Sequence, residues 1–122
     1  MKLAVGLILI FMSIVHVFYG EKMQVNVLEK LGANRILIGS FRAMSLQGGL
    51  LLFGIGLLEI MVYTGLIELI GFAVYIPLIL LCMNVIGVLI VAALKHRELI
   101  RATIPQFIIF SFIILLEVQS VI

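Results

Sequence analysis

The chain has no tryptophan, no aspartate, one cysteine and two prolines, and only 11% of its 122 residues are charged. Each shortage removes a class of protein. A lone Cys82 inside an apolar run excludes an internal disulfide framework, a CxxC redox pair and a cysteine-ligated metal. Without aspartate, carboxylate chemistry is left to Glu21, Glu29, Glu59, Glu68, Glu98 and Glu117. There is no HExxH, Glu-xx-His or His-rich cluster, no nucleophile motif and no glycine-rich phosphate loop. The residues therefore name no catalytic set, no metal site and no cofactor. A formal net charge of +2, with no alternation of basic and aromatic residues, gives no footprint for nucleic acid.

What is present is hydrocarbon. Hydrophobic residues make up 65% of the chain and the mean hydropathy is +1.40, which leaves too little polar surface to wrap a soluble domain. Four apolar runs cover residues 3–20, about 36–63, about 66–94 and about 102–120. At about 1.5 Å per residue, each is long enough to cross a hydrocarbon slab about 30 Å thick. The expected fold is all-α, a four-transmembrane-helix antiparallel bundle forming a single integral membrane domain over residues 1–122. Met1-Lys2 followed by an apolar run resembles a signal peptide, but no small-x-small cleavage pattern precedes Gly20, so the run reads as a retained first span.

Between the first two spans, Val25, Leu28 and Leu31 fall on one helical face. This spacing predicts a short interfacial helix between helices 1 and 2, ended by Gly32, Ala33 and Asn34. Thr64-Gly65 predicts a tight connection and an antiparallel hairpin of spans 2 and 3. Pro77 is expected to bend span 3, and Pro105 to fall harmlessly in the first turns of span 4. No internal repeat is visible, which argues against an inverted-repeat transporter within one chain.

Charge sets the expected orientation. Lys22, Lys30, Arg35, Arg42, Lys95, Arg97 and Arg101 belong to one side of such a bundle, and Lys2 alone to the other. By the positive-inside rule, loops 21–35 and 95–101 are cytoplasmic and both termini lie outside, in a multi-pass protein of the cell membrane.

The polar and small residues inside the spans form stripes. Arg42, Ser45, Gly49, Leu52, Gly56, Glu59 and Tyr63 recur at steps of three and four, with Gly49 and Gly56 as helix-packing positions. Gly39-xxx-Ala43 lies on a neighbouring face. Span 1 carries Gly6, Ser13, His16 and Gly20; span 3 carries Pro77, Asn84 and Gly87; span 4 carries Gln106 and Glu117. Two groups have chemical potential beyond packing. His16, Glu21, Arg42, Ser45 and Gln47, near the basic side, would line a polar pocket for an anionic or hydrogen-bonding ligand, with Glu21 or a lipid phosphate as partner of Arg42. Glu59 and Glu117, with Tyr63, Gln119 and Lys2 nearby, would form a proton site on the other side, or simply anchor the outer face. His16 and His96 invite haem ligation, but His96 sits among Lys95, Arg97 and Glu98, the setting of a solvated histidine.

Ser13–Glu21, SIVHVFYGE, and Phe41–Leu58, FRAMSLQGGLLLFGIGLL, resemble the small four-helix membrane families grouped as DoxX-like. The likeness rests on a glycine near the end of span 1 and on Arg42, Gly48, Gly49, Gly54 and Gly56, and covers roughly residues 10–60. It implies an accessory role beside membrane redox enzymes, although no charged or aromatic motif of a quinone site accompanies it. Three functions remain open: a non-catalytic structural or accessory subunit that self-associates or binds a membrane partner; a dimeric small-solute or proton-coupled transporter; and a redox or lipid-enzyme subunit with His16 as base and Arg42 holding an anion.

Overall fold

The structure, a computed structural model, describes residues 2–98, 101 and 104–121. The expected start of span 4 near residue 102, and residues 99 and 100 of the second basic segment, lie outside the described residues. Among the described residues the chain is helical, without strands. Four helices are long and apolar enough to cross a membrane by length and composition: Lys2–Lys30, Arg35–Tyr63, Gly71–Leu94 and Ile104–Val121.

The first of these is compound. Helix α1, Lys2–Tyr19, passes into a π-helical segment, Gly20–Val25, and continues as α2, Asn26–Lys30. Tyr19 and Asn26, at the two joints, keep right-handed helical dihedrals (φ −61°, ψ −46° and φ −60°, ψ −40°). Residues 21–30 are thus helical, as their periodicity predicts, but they extend α1 without a hinge. The end of α2 is set by Gly32 at φ +76°, whose N–H donates to Glu29 O (3.1 Å) while the Ala33 N–H donates to Leu28 O (3.0 Å). That pair of bonds is a Schellman cap. Asn34 then caps α3, Arg35–Tyr63, by accepting the Leu37 N–H at Oδ1 (2.7 Å).

A second Schellman cap ends α3. Gly65, at φ +80°, donates to Val62 O (3.2 Å) and Leu66 donates to Met61 O (3.0 Å). Here the expectation of an immediate third span from residue 66 is corrected. Residues 66–70 are not helical, Ile70 is extended (φ −122°, ψ 145°), and the helix opens only with a 3₁₀ turn, Gly71–Tyr75, before α4, Ile76–Leu94. Leu66, Ile67, Leu69 and Ile70 are as apolar as a span, and hydropathy measures affinity for lipid, not backbone conformation. Pro77 is corrected with it: the residue lies in the first turn of α4, where a missing N–H leaves no bond unmade, and it does not bend mid-span. Pro105 stands at the start of α5, Ile104–Val121, as expected.

The chain divides into two compact units, Gly6–Ile60 and Met1–Val5 with Met61–Ile122. In the first, α1 and α3 run antiparallel in close contact. A β-carbon added to Gly56 would stand 2.8 Å from Gly6 O and 3.1 Å from Leu9 Cβ, and one on Gly6 would stand 2.8 Å from Gly56 O. On Gly49 it would meet Val17 Cγ2 at 2.5 Å and Ser13 O at 3.3 Å; on Gly20 it would meet Ser45 Oγ at 2.5 Å. The rungs Gly6/Gly56 and Ser13/Gly49 step by seven residues up one helix and seven down the other, the repeat of a coiled-coil seam. Gly6, Leu9, Ser13, Gly20, Gly49, Leu52, Ile55, Gly56 and Glu59 are buried.

In the second unit α4 packs against α5. Pro77, Leu81 and Ala92 are buried on α4, and Phe110, Ile113 and Glu117 recur at steps of three and four on α5. Asn84 and Gln106 are half-buried, in keeping with their expected stripes. Gly87 is not: it is exposed, with nothing within 4 Å of an added β-carbon, so it faces away from the packed side.

Substitutions should separate these two kinds of glycine. Gly49→Leu and Gly56→Leu are expected to destabilise the chain by about 3 kcal/mol, because the added side chain meets the Val17 side chain and Ser13 O at position 49 and Gly6 O at position 56. Gly87→Leu is expected to leave the midpoint unchanged or raise it, since leucine is the better helix former. Thermal unfolding in detergent, followed by circular dichroism, makes the comparison.

Candidate functional site

The α1–α3 register continues past Gly20 and brings Arg42 level with Glu21. The guanidinium is held in a bidentate ion pair, Nε to Glu21 Oε2 at 3.0 Å and Nη2 to Glu21 Oε1 at 2.6 Å. A second carboxylate approaches the same nitrogen, Glu29 Oε1 at 3.9 Å from Nη2. All three side chains are about half exposed, 49% for Arg42, 50% for Glu21 and 53% for Glu29. Of the two partners the sequence offers Arg42, a carboxylate or a lipid phosphate, the carboxylate holds it.

Glu29 was not legible in the sequence, and the reason is geometric. Residues eight apart on an uninterrupted α-helix are out of phase by roughly 80°. The π segment Gly20–Val25, with its i→i+5 bonding, underwinds the chain between Glu21 and Glu29 and takes up that offset. One further bond in the segment, from Asn26 Nδ2 to Lys22 O, ties α2 back onto it.

The other members of the expected pocket are dispersed. Ser45 lies against Gly20, a rung away from the ion pair. His16 is half-buried with its ring edge against Gly48, where an added β-carbon would stand 3.0 Å from Nε2. Gln47 is exposed and, five residues from Arg42, points to another side of α3. Two shallow, largely apolar grooves lie in the first unit. One, about 240 Å³, runs beside the glycine seam between Val17, Phe18, Leu46 and Phe53. The other, about 380 Å³, lies at the π segment between Tyr19, Met23, Gln24, Val27, Leu28 and Phe41.

The acidic residues of the opposite side fall in different units. Glu59, in the first, is fully buried and its Cβ stands 3.4 Å from where a β-carbon on Gly6 would be. Glu117, in the second, is fully buried; Lys2 Nζ donates to its Oε1 at 3.3 Å, while Oε2 is buried without a hydrogen bond. Tyr63 and Gln119 are exposed. In the basic segment, His96 Nδ1 lies 3.3 Å from Glu98 Oε1 with both groups exposed. A bond to its own backbone N–H, and secondarily the His96 ring, hold the Glu98 carboxyl below the usual carboxylate range. Among the described residues no three of His, Cys, Asp and Glu converge as metal ligands.

No protein-family model matches the chain, and neither the curated proteins nor the solved structures include a match.

The two ion pairs should respond differently to mutation. A double-mutant cycle on Glu21→Gln and Arg42→Gln is expected to give a coupling of about 1 kcal/mol or less, as befits a half-exposed pair. Lys2→Gln is expected to cost on the order of 3 kcal/mol, because it leaves the buried Glu117 carboxylate uncompensated. Chemical denaturation in detergent micelles reads both.

Proposed function

We propose that this chain is a small multi-pass protein of the cell membrane with a structural or accessory, non-catalytic role, exercised by binding a second copy of itself or another membrane protein. The observation that carries this reading is the disposition of apolar side chains: α4 and α5 present Ile79, Ile86, Leu89, Ile108, Phe112 and Leu115 outward over the length of a span. In water that surface would aggregate; in lipid it is the required exterior. By the charge distribution, Lys22–Arg42 and Lys95–Arg101 lie at the cytoplasmic face, the helices cross as an antiparallel bundle, and residues 21–30 carry α1 on to headgroup depth.

Association has its own support. The seam glycines are occupied by α1 of the same chain, so they do not serve a partner. A different stripe of α3, with Gly39, Ala43, Leu50 and Gly54, is exposed, and nothing lies within 4 Å of a β-carbon added to Gly39 or Gly54. Small residues at such spacing let a second helix approach closely in lipid. The DoxX-like resemblance adds that a hetero-partner would belong to a membrane redox system.

A transport reading is favoured by one group, the fully buried Glu117 with a bare oxygen in an apolar span. Buried ionisable residues in spans commonly mark proton or ion pathways.

Two measurements decide between them. Native mass spectrometry from mild detergent is expected to show an oligomer that Gly39→Leu or Gly54→Leu dissociates without unfolding the chain; a wild-type monomer that recruits no membrane partner contradicts the accessory reading. In proteoliposomes, Glu117→Gln is expected to change no pH-driven flux. Loss of a wild-type flux in that variant would establish transport instead.

A further inference from the structure

The connection between α3 and α4 makes two demands that pull in opposite directions. Between Gly65 and Gly71 the exposure alternates residue by residue: Leu66, Glu68 and Ile70 are exposed, while Ile67 and Leu69 are half-buried. The 3₁₀ turn then puts out Phe72 and Tyr75, whose ring centroids lie 6.3 Å apart. Leu66, Ile70 and Phe72 are 74%, 73% and 74% exposed, a surface unsuited to water. The backbone makes the contrary demand. Among the described residues, the N–H groups of Glu68, Leu69 and Ile70 make no backbone hydrogen bond. Gly71, at φ +62°, breaks the helix that would otherwise supply partners by running back from α4. Free N–H groups and the Glu68 carboxylate need water or headgroups, and hydrocarbon offers neither. Length points the same way. The 19 residues of α4 measure about 28 Å, nearly the whole of a hydrocarbon slab about 30 Å thick, so residues 64–75 are surplus to the crossing. Unlike the two basic connections, this one carries a single charge, Glu68, between Tyr63 and Lys95.

We propose that residues 66–75 are an interfacial anchor in the outer leaflet. The backbone and Glu68 lie at headgroup level, and Leu66, Ile70 and Phe72 insert among the upper acyl segments. The inference rests on the reading of the chain as membrane-spanning, and goes beyond it by fixing which segment lies in the boundary. That boundary is the one environment that offers apolar contact and hydrogen-bond partners within the length of a side chain. Tyr75 suits the same depth, because rings with a polar tip concentrate there. A protein partner would have to bury the Glu68 charge between Leu66 and Ile70. Water alone would leave three large apolar side chains bare.

The test uses single-cysteine variants of the full chain in a Cys82→Ser background, labelled with a nitrobenzoxadiazole fluorophore and reconstituted into phosphatidylcholine vesicles with iodide on both sides. Leu66→Cys, Ile70→Cys and Phe72→Cys are expected to be shielded from iodide. They are expected to be quenched about twofold more by a lipid nitroxide near the headgroup than by one near the chain end. Glu68→Cys is expected to be quenched by iodide. Ile86→Cys, exposed midway along α4, is expected to show the reverse nitroxide preference. Strong iodide quenching at 66, 70 and 72 would put the loop in water. Quenching by neither agent would mean that protein covers it, and stronger quenching by the deep nitroxide would make the segment re-entrant. Each of these three results overturns the anchor. Ile86→Cys separates the two levels of failure: shielded from iodide, it leaves the membrane reading standing and only the anchor lost, whereas its quenching by iodide overturns both.

Discussion

Helices in hydrocarbon gain nothing by hiding apolar side chains from one another, because the lipid they displace is equally apolar. What holds them is close approach: dispersion between backbones and whatever polar contacts the approach permits. The α1–α3 pair meets by such close approach. Gly6 against Gly56 and Ser13 against Gly49 bring the two backbones so near that a single added carbon would fall within 3 Å of a facing atom at three of these positions. The register follows from it. Once two small-residue rungs are engaged seven residues apart, the next rung is dictated, and it delivers Gly20 to Ser45 and Glu21 to Arg42.

Polar groups then fall where the seam allows them. At the end of the pair, the π segment turns Glu29 into phase with Glu21 and supplies Arg42 with negative charge on two sides. A guanidinium that gives up water carries a desolvation cost, and bidentate carboxylate geometry is an effective way to offset it. The second unit solves a harder version of the same problem. Glu117 is shut off from solvent, and Lys2, only partly exposed, meets one of its oxygens. Both arrangements are compatible with a purely structural role, yet the two carboxylates differ in setting: Glu21 is half exposed, whereas Glu117 is fully buried.

The comparison of sequence with structure divides along physical lines. Hydropathy is a sum over many residues, and it located the four helices long and apolar enough to cross a membrane. Small-residue periodicity likewise exposed the seam on both partners, because a heptad of Gly and Ser has little reason to exist on a lipid-facing surface. What escaped was local. A π segment adds less than one residue of phase and has no compositional signature, so Glu29 could not be placed beside Arg42. Residues 66–70 are as apolar as any helix, and only their backbone distinguishes them. Pro77 falls mid-span only if the helix begins near residue 66; with α4 opening at Ile76 it takes its ordinary first-turn role. Gly87 shows the limit of stripe reading: one glycine in a uniformly apolar helix does not say which way it faces. His16, with its ring edge against Gly48, and Gln47, five residues along α3, do not point the way Arg42 does.

The central claim is the α1–α3 register, since the ion-pair site, the groove beside it and the occupied state of the seam glycines all depend on it. The most direct measurement is cysteine cross-linking in native membranes, in a Cys82→Ser background, with a short thiol-specific bifunctional reagent. Val17→Cys paired with Leu46→Cys flanks the Ser13/Gly49 rung, and the account predicts rapid cross-linking within one chain. Val17→Cys paired with Leu57→Cys is displaced by eleven residues, about 16 Å along α3, and should remain unlinked. Equal yields for the two pairs, or products that join separate chains only, would contradict the account.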